Sequence, residues 1–209
     1  GELQLSYHKY RLYNEKYLGN DFSIDDLFIN PRIVLNYKNN ENQNVFISLA
    51  RVTREPRLKN YYDAAESSAG ELPNFESKND ATYNFDSPIV QPETMNDLEL
   101  GFSHQSHNLT INLNLYYMLF ENEIVKNGKV DRFGQPITGN VDRTTHTGIE
   151  FSFIYKPIEQ IEFYGNASYS RNTITEGKHF LSQTESIDIS GNRISGFPDY
   201  LSNLGIQFY

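Results

Sequence analysis

The side chains best suited to chemistry in this sequence are few and scattered. Its five histidines are His8, His104, His107, His146 and His179, and only "HQSH" brings two of them close. His104 and His107 stand three residues apart there, in a predicted tight turn. Two imidazoles can begin a metal site, but a stable one needs further ligands, and this motif lacks a third. The sequence has no cysteine, which removes thiolate ligands, disulfides and cysteine nucleophiles. The stretch "NGKVDRFGQ" puts a carboxylate near glycines without the spacing of a calcium loop. No GxSxG, HExxH or phosphate-cradling glycine loop occurs. Asn108-Leu109-Thr110 and Asn166-Ala167-Ser168 fit the glycosylation pattern, yet both fall in predicted strands and carry no meaning there. The residues therefore predict no catalytic constellation, no metal and no cofactor.

Recognition is better served than catalysis. Arg57, Tyr61 and Tyr62 lie in one long polar segment, and Lys126, Arg132 and Phe133 in another. Guanidinium offers a fixed fork of donors for carboxylate or phosphate, and the rings offer stacking surface. These six are the candidate ligand-binding residues.

What would position them is a set of strands. In "NLTINLNLYYML", residues 108 to 119, Leu109, Ile111, Leu113, Leu115 and Leu119 share one parity, while Asn108, Thr110, Asn112 and Asn114 share the other. A strand has a period of two, so this one has a wholly apolar and a wholly polar face. The same alternation marks Leu3 to Tyr7, Ile33 to Tyr37, Val45 to Leu49, Leu98 to Phe102, Ile149 to Tyr155, Ile161 to Tyr169 and Leu204 to Phe208, giving about eight strands. Only "LKNYYDAAESSAGE" suggests a helical turn.

Composition limits the surroundings of these strands. Hydrophobic residues make up 38% and the net charge is -9, with a mean hydropathy of -0.60. No run of roughly 18 apolar residues exists to cross a bilayer as a helix, and an acidic chain without a basic patch argues against nucleic acid. Tyr 15 and Phe 14 with no Trp suit either an aromatic-rich sandwich or a membrane barrel with tyrosines at the interfaces.

The connections choose between the two. Short links ("KNNENQN", "HQSH", "KPIEQ") alternate with long ones, at about residues 13 to 30, 55 to 93, 122 to 142 and 174 to 199. In a meander this puts every short turn at one end and every long loop at the other, as in outer-membrane barrels; a Greek-key sandwich has no reason to sort its loops so. The apolar parity is then expected to face lipid, with Tyr7, Tyr37, Tyr117 and Tyr155 forming interfacial girdles.

With that order in place, "TREP" (Thr53 to Pro56), "QPETMNDLELGFSH", "YYMLFENEIV", "TGIEFS" and "SGFPDYLSNLGIQFY" together resemble the C-terminal barrel half of a TonB-dependent outer-membrane receptor, of a Bacteroidetes-like type. The resemblance covers nearly the whole chain. It implies an all-β, antiparallel up-and-down fold, here about eight strands of a barrel of about 22. It also implies a bacterial outer-membrane location, a scarce ligand (siderophore, cofactor or glycan), lipid around the wall, and coupling to the TonB complex through an N-terminal region not visible in these residues. A plug domain and the remaining strands are equally not visible, so residues 1 to 209 are read as one partial barrel domain. The alternative is a complete eight-stranded outer-membrane barrel acting as an enzyme or adhesion protein.

Overall fold

The computed structural model describes residues 1–16, 19–63, 72–79, 82–130, 136–180 and 186–209. Its elements are β1 (Glu2–Leu12), β2 (Phe22–Asn40), β3 (Gln43–Arg54), α1 (Leu58–Tyr61), β4 (Phe75–Asn79), β5 (Thr82–Pro88), β6 (Glu93–Gln105), β7 (Leu109–Val130), β8 (Pro136–Ile158), β9 (Ile161–Glu176), β10 (Lys178–Phe180), β11 (Ser186–Asp188) and β12 (Tyr200–Phe208). Eight strands form one antiparallel sheet in the order β1-β2-β3-β6-β7-β8-β9-β12, while β4–β5 and β10–β11 are separate two-stranded hairpins. Each strand of the large sheet pairs with the one before it, as a meander requires. β1 and β12 do not pair with each other, so the eight strands form an open wall rather than a closed small barrel.

Register shows why the alternation matters. Leu113 pairs with Phe102 on β6 and Phe151 on β8, and Leu115 with Leu100 and Ile149. Cross-strand partners share a face, so the apolar parity of every strand joins into one surface. No second sheet covers it among the described residues: Leu35 is 66% exposed and Leu204 81%. A sandwich would have buried these side chains.

The opposite face is polar and closely packed. Asn112 donates to Ser152 Oγ at 3.3 Å, and Asn203 to Asn166 Oδ1 at 3.1 Å. Between the amides, aromatic rings lie over cross-strand glycines: Phe46 over Gly101, Tyr116 over Gly148 and Tyr164 over Gly205. A ring laid across a glycine protects the backbone there and tolerates sheet curvature.

The two ends differ as the link lengths suggest. At one end the chain turns within Glu41–Asn42, Ser106–Asn108 and Glu159–Gln160. At the other, much of what the sequence presents as long loop is strand: β7 has 22 residues and β8 has 23, against about 9–11 needed to span a bilayer. The apolar alternation breaks in these extensions, where buried polar side chains such as Glu123 and Thr144 are mixed with Val125 and Val141 packed against Ile174, Ile189 and Ile194, although the backbone ladder continues. Hydrophobic pattern alone therefore cannot mark them as strands.

The larger buried cluster lies at this end too. Phe22, Tyr61, Tyr62, Phe75 and Val90 are buried, with Tyr10, Leu12 and Ile24 packed against them. Tyr10 pairs with Ile24 and Leu12 with Phe22, and both pairs belong to the parity opposite Leu3, Leu5 and Tyr7. Thus α1 and the β4–β5 hairpin fold back over the inner, polar face of β1 and β2.

Candidate functional site

The folded-back segment and the extended β7–β8 pair enclose a cavity of about 550 Å3. Tyr10 enters from β1, and Arg54 and Glu55 from the end of β3. Arg57, Lys59 and Asn60 come from α1 and its approach, Ile124 and Lys126 from β7, and Thr138 from β8. This volume lies in the ordinary range for small-ligand sites.

Amide side chains join the two long segments into one rim. Asn60 Nδ2 donates to Thr138 Oγ1 at 2.7 Å. Asn140 Oδ1 accepts from the Gln91 N–H at 2.9 Å, while its Nδ2 donates to the Gln91 carbonyl at 2.9 Å and to the Asn122 carbonyl at 2.6 Å. A carboxamide can act as donor and acceptor at once, so Asn140 reads both backbone groups of Gln91 as a strand partner would. Asn122 itself has a positive φ, at 56°, in the left-handed region that asparagine tolerates better than most residues.

The cavity is cationic although the chain is acidic. Arg54 is held by Glu93 at 2.8 Å, whose second oxygen accepts from the Ile124 N–H at 3.0 Å. Glu55 is engaged by His8 Nδ1 at 3.0 Å. Among the described residues, the side chains of Arg57 and Lys126 form no ion pair, and both line the same space. Two cations in a cleft with partly apolar walls concentrate positive potential.

The structure thus brings together Arg57 and Lys126 from two different predicted segments. Tyr61 and Tyr62 lie beneath the rim, 1% and 2% exposed. Tyr61 packs with Tyr10 at 6.2 Å between ring centroids and with Phe75 at 6.2 Å, so both rings shape the loop that carries Arg57. Burial, with nearby Asp26, Tyr10 and Glu55, holds the Tyr61 hydroxyl well above the usual tyrosine range. Arg132 and Phe133 lie outside the described residues. Sequence reasoning did not single out Arg54, Lys59, Asn60 or Thr138 as site residues. Arg54 and Glu55 belong to the "TREP" motif, a usable signal; Thr138 carries none, because its place depends on long-range register.

A second polar cluster lies under the segment that precedes β12. His146 Nε2 and Glu123 Oε2 are 3.0 Å apart, His146 Nδ1 and Asn172 Oδ1 2.7 Å, and the Thr144 hydroxyl also donates to Glu123. Phe120 and Phe197 meet the imidazole edge-on, at 5.0 and 5.4 Å. Thr145 and Thr147, next to His146 on the outward parity, are polar, so the cluster lies beyond the apolar band that begins at Ile149. Burial pulls the His146 pKa down, but the hydrogen bond and charge of Glu123 and the Asn172 bond outweigh it, and the net direction is up. Of the paired histidines of "HQSH", His104 is on β6 and His107 in the following turn. Among the described residues no group of three or more His, Cys, Asp or Glu could hold a metal ion.

An open wall of eight meandering strands, apolar on one face and polar on the other, with a cavity among its long-end segments, is one piece of a large barrel. A model of the TonB dependent receptor-like beta-barrel family matches residues 2–209. The chain belongs to that family. As a TonB-dependent receptor barrel it is similar to solved structures of known receptors. The copper transporter OprC superposes with a TM-score of 0.69 at 13% identity, covering 99% of this chain and 28% of that one. The siderophore receptor PiuA from Acinetobacter baumannii gives 0.63 at 16%, covering 99% and 28%. The ferric-catecholate import receptor Fiu from E. coli K12 gives 0.59 at 20%, covering 90% and 23%. At these identities the likeness shows the fold alone. The chain spans about a quarter of the length of each of these receptors. No curated protein matches it.

Proposed function

We propose that this chain forms the wall and part of the mouth of a TonB-energised importer in the bacterial outer membrane. Its cargo is a scarce, anionic small ligand. The apolar face meets lipid, the polar face lines the lumen, and the extended ends of β7 and β8 with the 55–93 segment stand outside the cell. The observation that carries the cargo reading is the convergence of Arg57 and Lys126 on one cavity of about 550 Å3. A siderophore complex, a phosphorylated cofactor or an acidic glycan would each supply the matching negative groups. Catalysis has no part in this reading; energy coupling and plug contacts belong to the rest of the receptor.

The test uses the full-length receptor. Replacing residues 57 to 90 with a short Gly/Ser turn leaves β3 and β6 intact, so the barrel should still assemble and appear as a heat-modifiable band. Ligand capture should be lost. Undiminished high-affinity uptake in that variant would place recognition elsewhere.

A further inference from the structure

The outward face carries a groove that the import reading does not use. It has a volume of about 390 Å3 and crosses β2, β3, β6 and β7. Its floor and walls are Ile33, Leu49, Leu98 and Tyr117, which form one continuous rung of paired residues. The next rung toward the long-loop end carries Arg51, beside Asn96 and Leu119. All of these side chains belong to the outward parity. Asp97 also borders the groove, but it belongs to the inner parity, where Glu99 and Arg32 are its charged neighbours.

Arg51 is in an unusual position for a surface arginine. Its cross-strand neighbour Asn96 is uncharged, and among the described residues its side chain forms no ion pair. Two outward carboxylates are already engaged, Asp25 by Lys9 at 3.1 Å and Glu176 by Arg143 at 3.4 Å. A further one, Glu121, lies one rung up and two strands away. Below Arg51 the groove is apolar; above it β3, β6 and β7 present Thr53, Thr94 and Glu121. The guanidinium therefore stands at the level where apolar surface gives way to polar surface, which is headgroup depth for a wall in a bilayer.

We propose that this groove is a binding site for one phosphorylated lipid of the outer leaflet. An acyl chain lies along Leu49 and Leu98 against Tyr117, and the phosphate sits on the Arg51 fork with Asn96 as a second donor. The proposal rests on the reading that the apolar face meets lipid. Phosphate is favoured over a zwitterionic headgroup because the groove supplies a cationic, bidentate donor and its lining holds no outward anion to meet a choline or ethanolamine group, Glu121 standing one rung up and two strands away.

The experiment is native mass spectrometry of the full-length receptor in detergent, titrated with dioleoyl phosphatidic acid and, separately, with dioleoylglycerol. The wild type should hold phosphatidic acid about tenfold more tightly, the scale of one charge-assisted contact. Arg51→Ala should erase the difference and Arg51→Lys should keep part of it, with both variants still folded and heat-modifiable. Equal binding of the two lipids by the wild type, or a preference that survives Arg51→Ala, would overturn the site and leave non-specific lipid contact. Failure of phosphatidic acid to adhere would likewise overturn the site, whereas the lipid-facing wall stands or falls separately on whether Leu113→Arg and Asn112→Arg cost the same on folding into vesicles.

Discussion

Tyr116 on β7 lies across its cross-strand partner Gly148 on β8 so closely that a Cβ added to the glycine would stand 2.7 Å from the ring edge. The ring must shift to admit a Cβ, which disturbs its hydrogen bond with Ser170. Gly148→Ala should therefore destabilise the barrel by about 1–3 kcal/mol, the usual cost of overpacking. Adding Tyr116→Ala should recover part of the loss, and urea unfolding of the full-length receptor in lipid measures both. Additive losses in the double variant would show that the ring and the glycine are not coupled.

Facing can be tested on adjacent residues of one strand. Leu113 belongs to the outward row and Asn112 to the inner face, where it bonds Ser152. Leu113→Arg should cost about 2–4 kcal/mol near the bilayer midplane, whereas Asn112→Arg enters a wet lumen and should cost little. Equal losses on folding into vesicles would contradict the assignment.

The cavity makes a charge prediction. Arg57→Ala and Lys126→Ala should each weaken ligand capture, by about 1.5–3 kcal/mol if the lost contact is a charged hydrogen bond. Reversal of both to glutamate should abolish it while leaving assembly unchanged. Uptake by whole cells and the amount of folded receptor are the two measurements. Loss of assembly together with uptake would make these residues structural.

His146 predicts a pH dependence. Its pKa in the folded protein is raised, so protonation favours the folded arrangement. That contribution is full below the unfolded value of about 6.5 and is lost as pH rises through the folded value. Asn172, whose side chain meets His146, also accepts the Ile194 N–H at 3.0 Å through its backbone carbonyl. Residues 189 to 199 should therefore exchange amide hydrogen more readily on the alkaline side, after correction for intrinsic rates. Glu123→Gln should flatten the profile. A profile unchanged by that substitution would remove the ion pair from the explanation.

Much of this fold is legible in the sequence because one physical fact dominates it. Leu109 to Leu119 alternate so cleanly that the strand and its two faces follow directly, and the sorted link lengths give the meander. The extensions of β7 and β8 are not legible, since their buried positions mix polar and apolar residues: Glu123 is buried against His146, while Val125 packs against the Val141 cluster. Arg57 and Lys126 are recognisable as candidates by type. Their meeting is not, because it depends on the Asn60–Thr138 and Asn140–Gln91 contacts, which only register supplies. Tyr61 and Tyr62 mislead for a related reason: a tyrosine that stacks on a ligand and one that holds a loop together have the same letters around them.

The meander also sets an order of construction. Most strands find their partner across a few residues, so hairpins can close early at small entropic cost. The interval between β3 and β6 is different: the 55–93 segment must be traversed before Thr53 can meet Thr94. Until then β3 presents an open edge, which is prone to pair with other chains. Packing of Tyr61, Phe75 and Val90 onto Phe22 of β2 anchors both halves of that interval on the sheet and so shortens the loop left to close. The loop nucleus is thus a timing element, and weakening it with Phe75→Ala should slow closure of the wall and divert chains to aggregates before any effect on cargo can be seen.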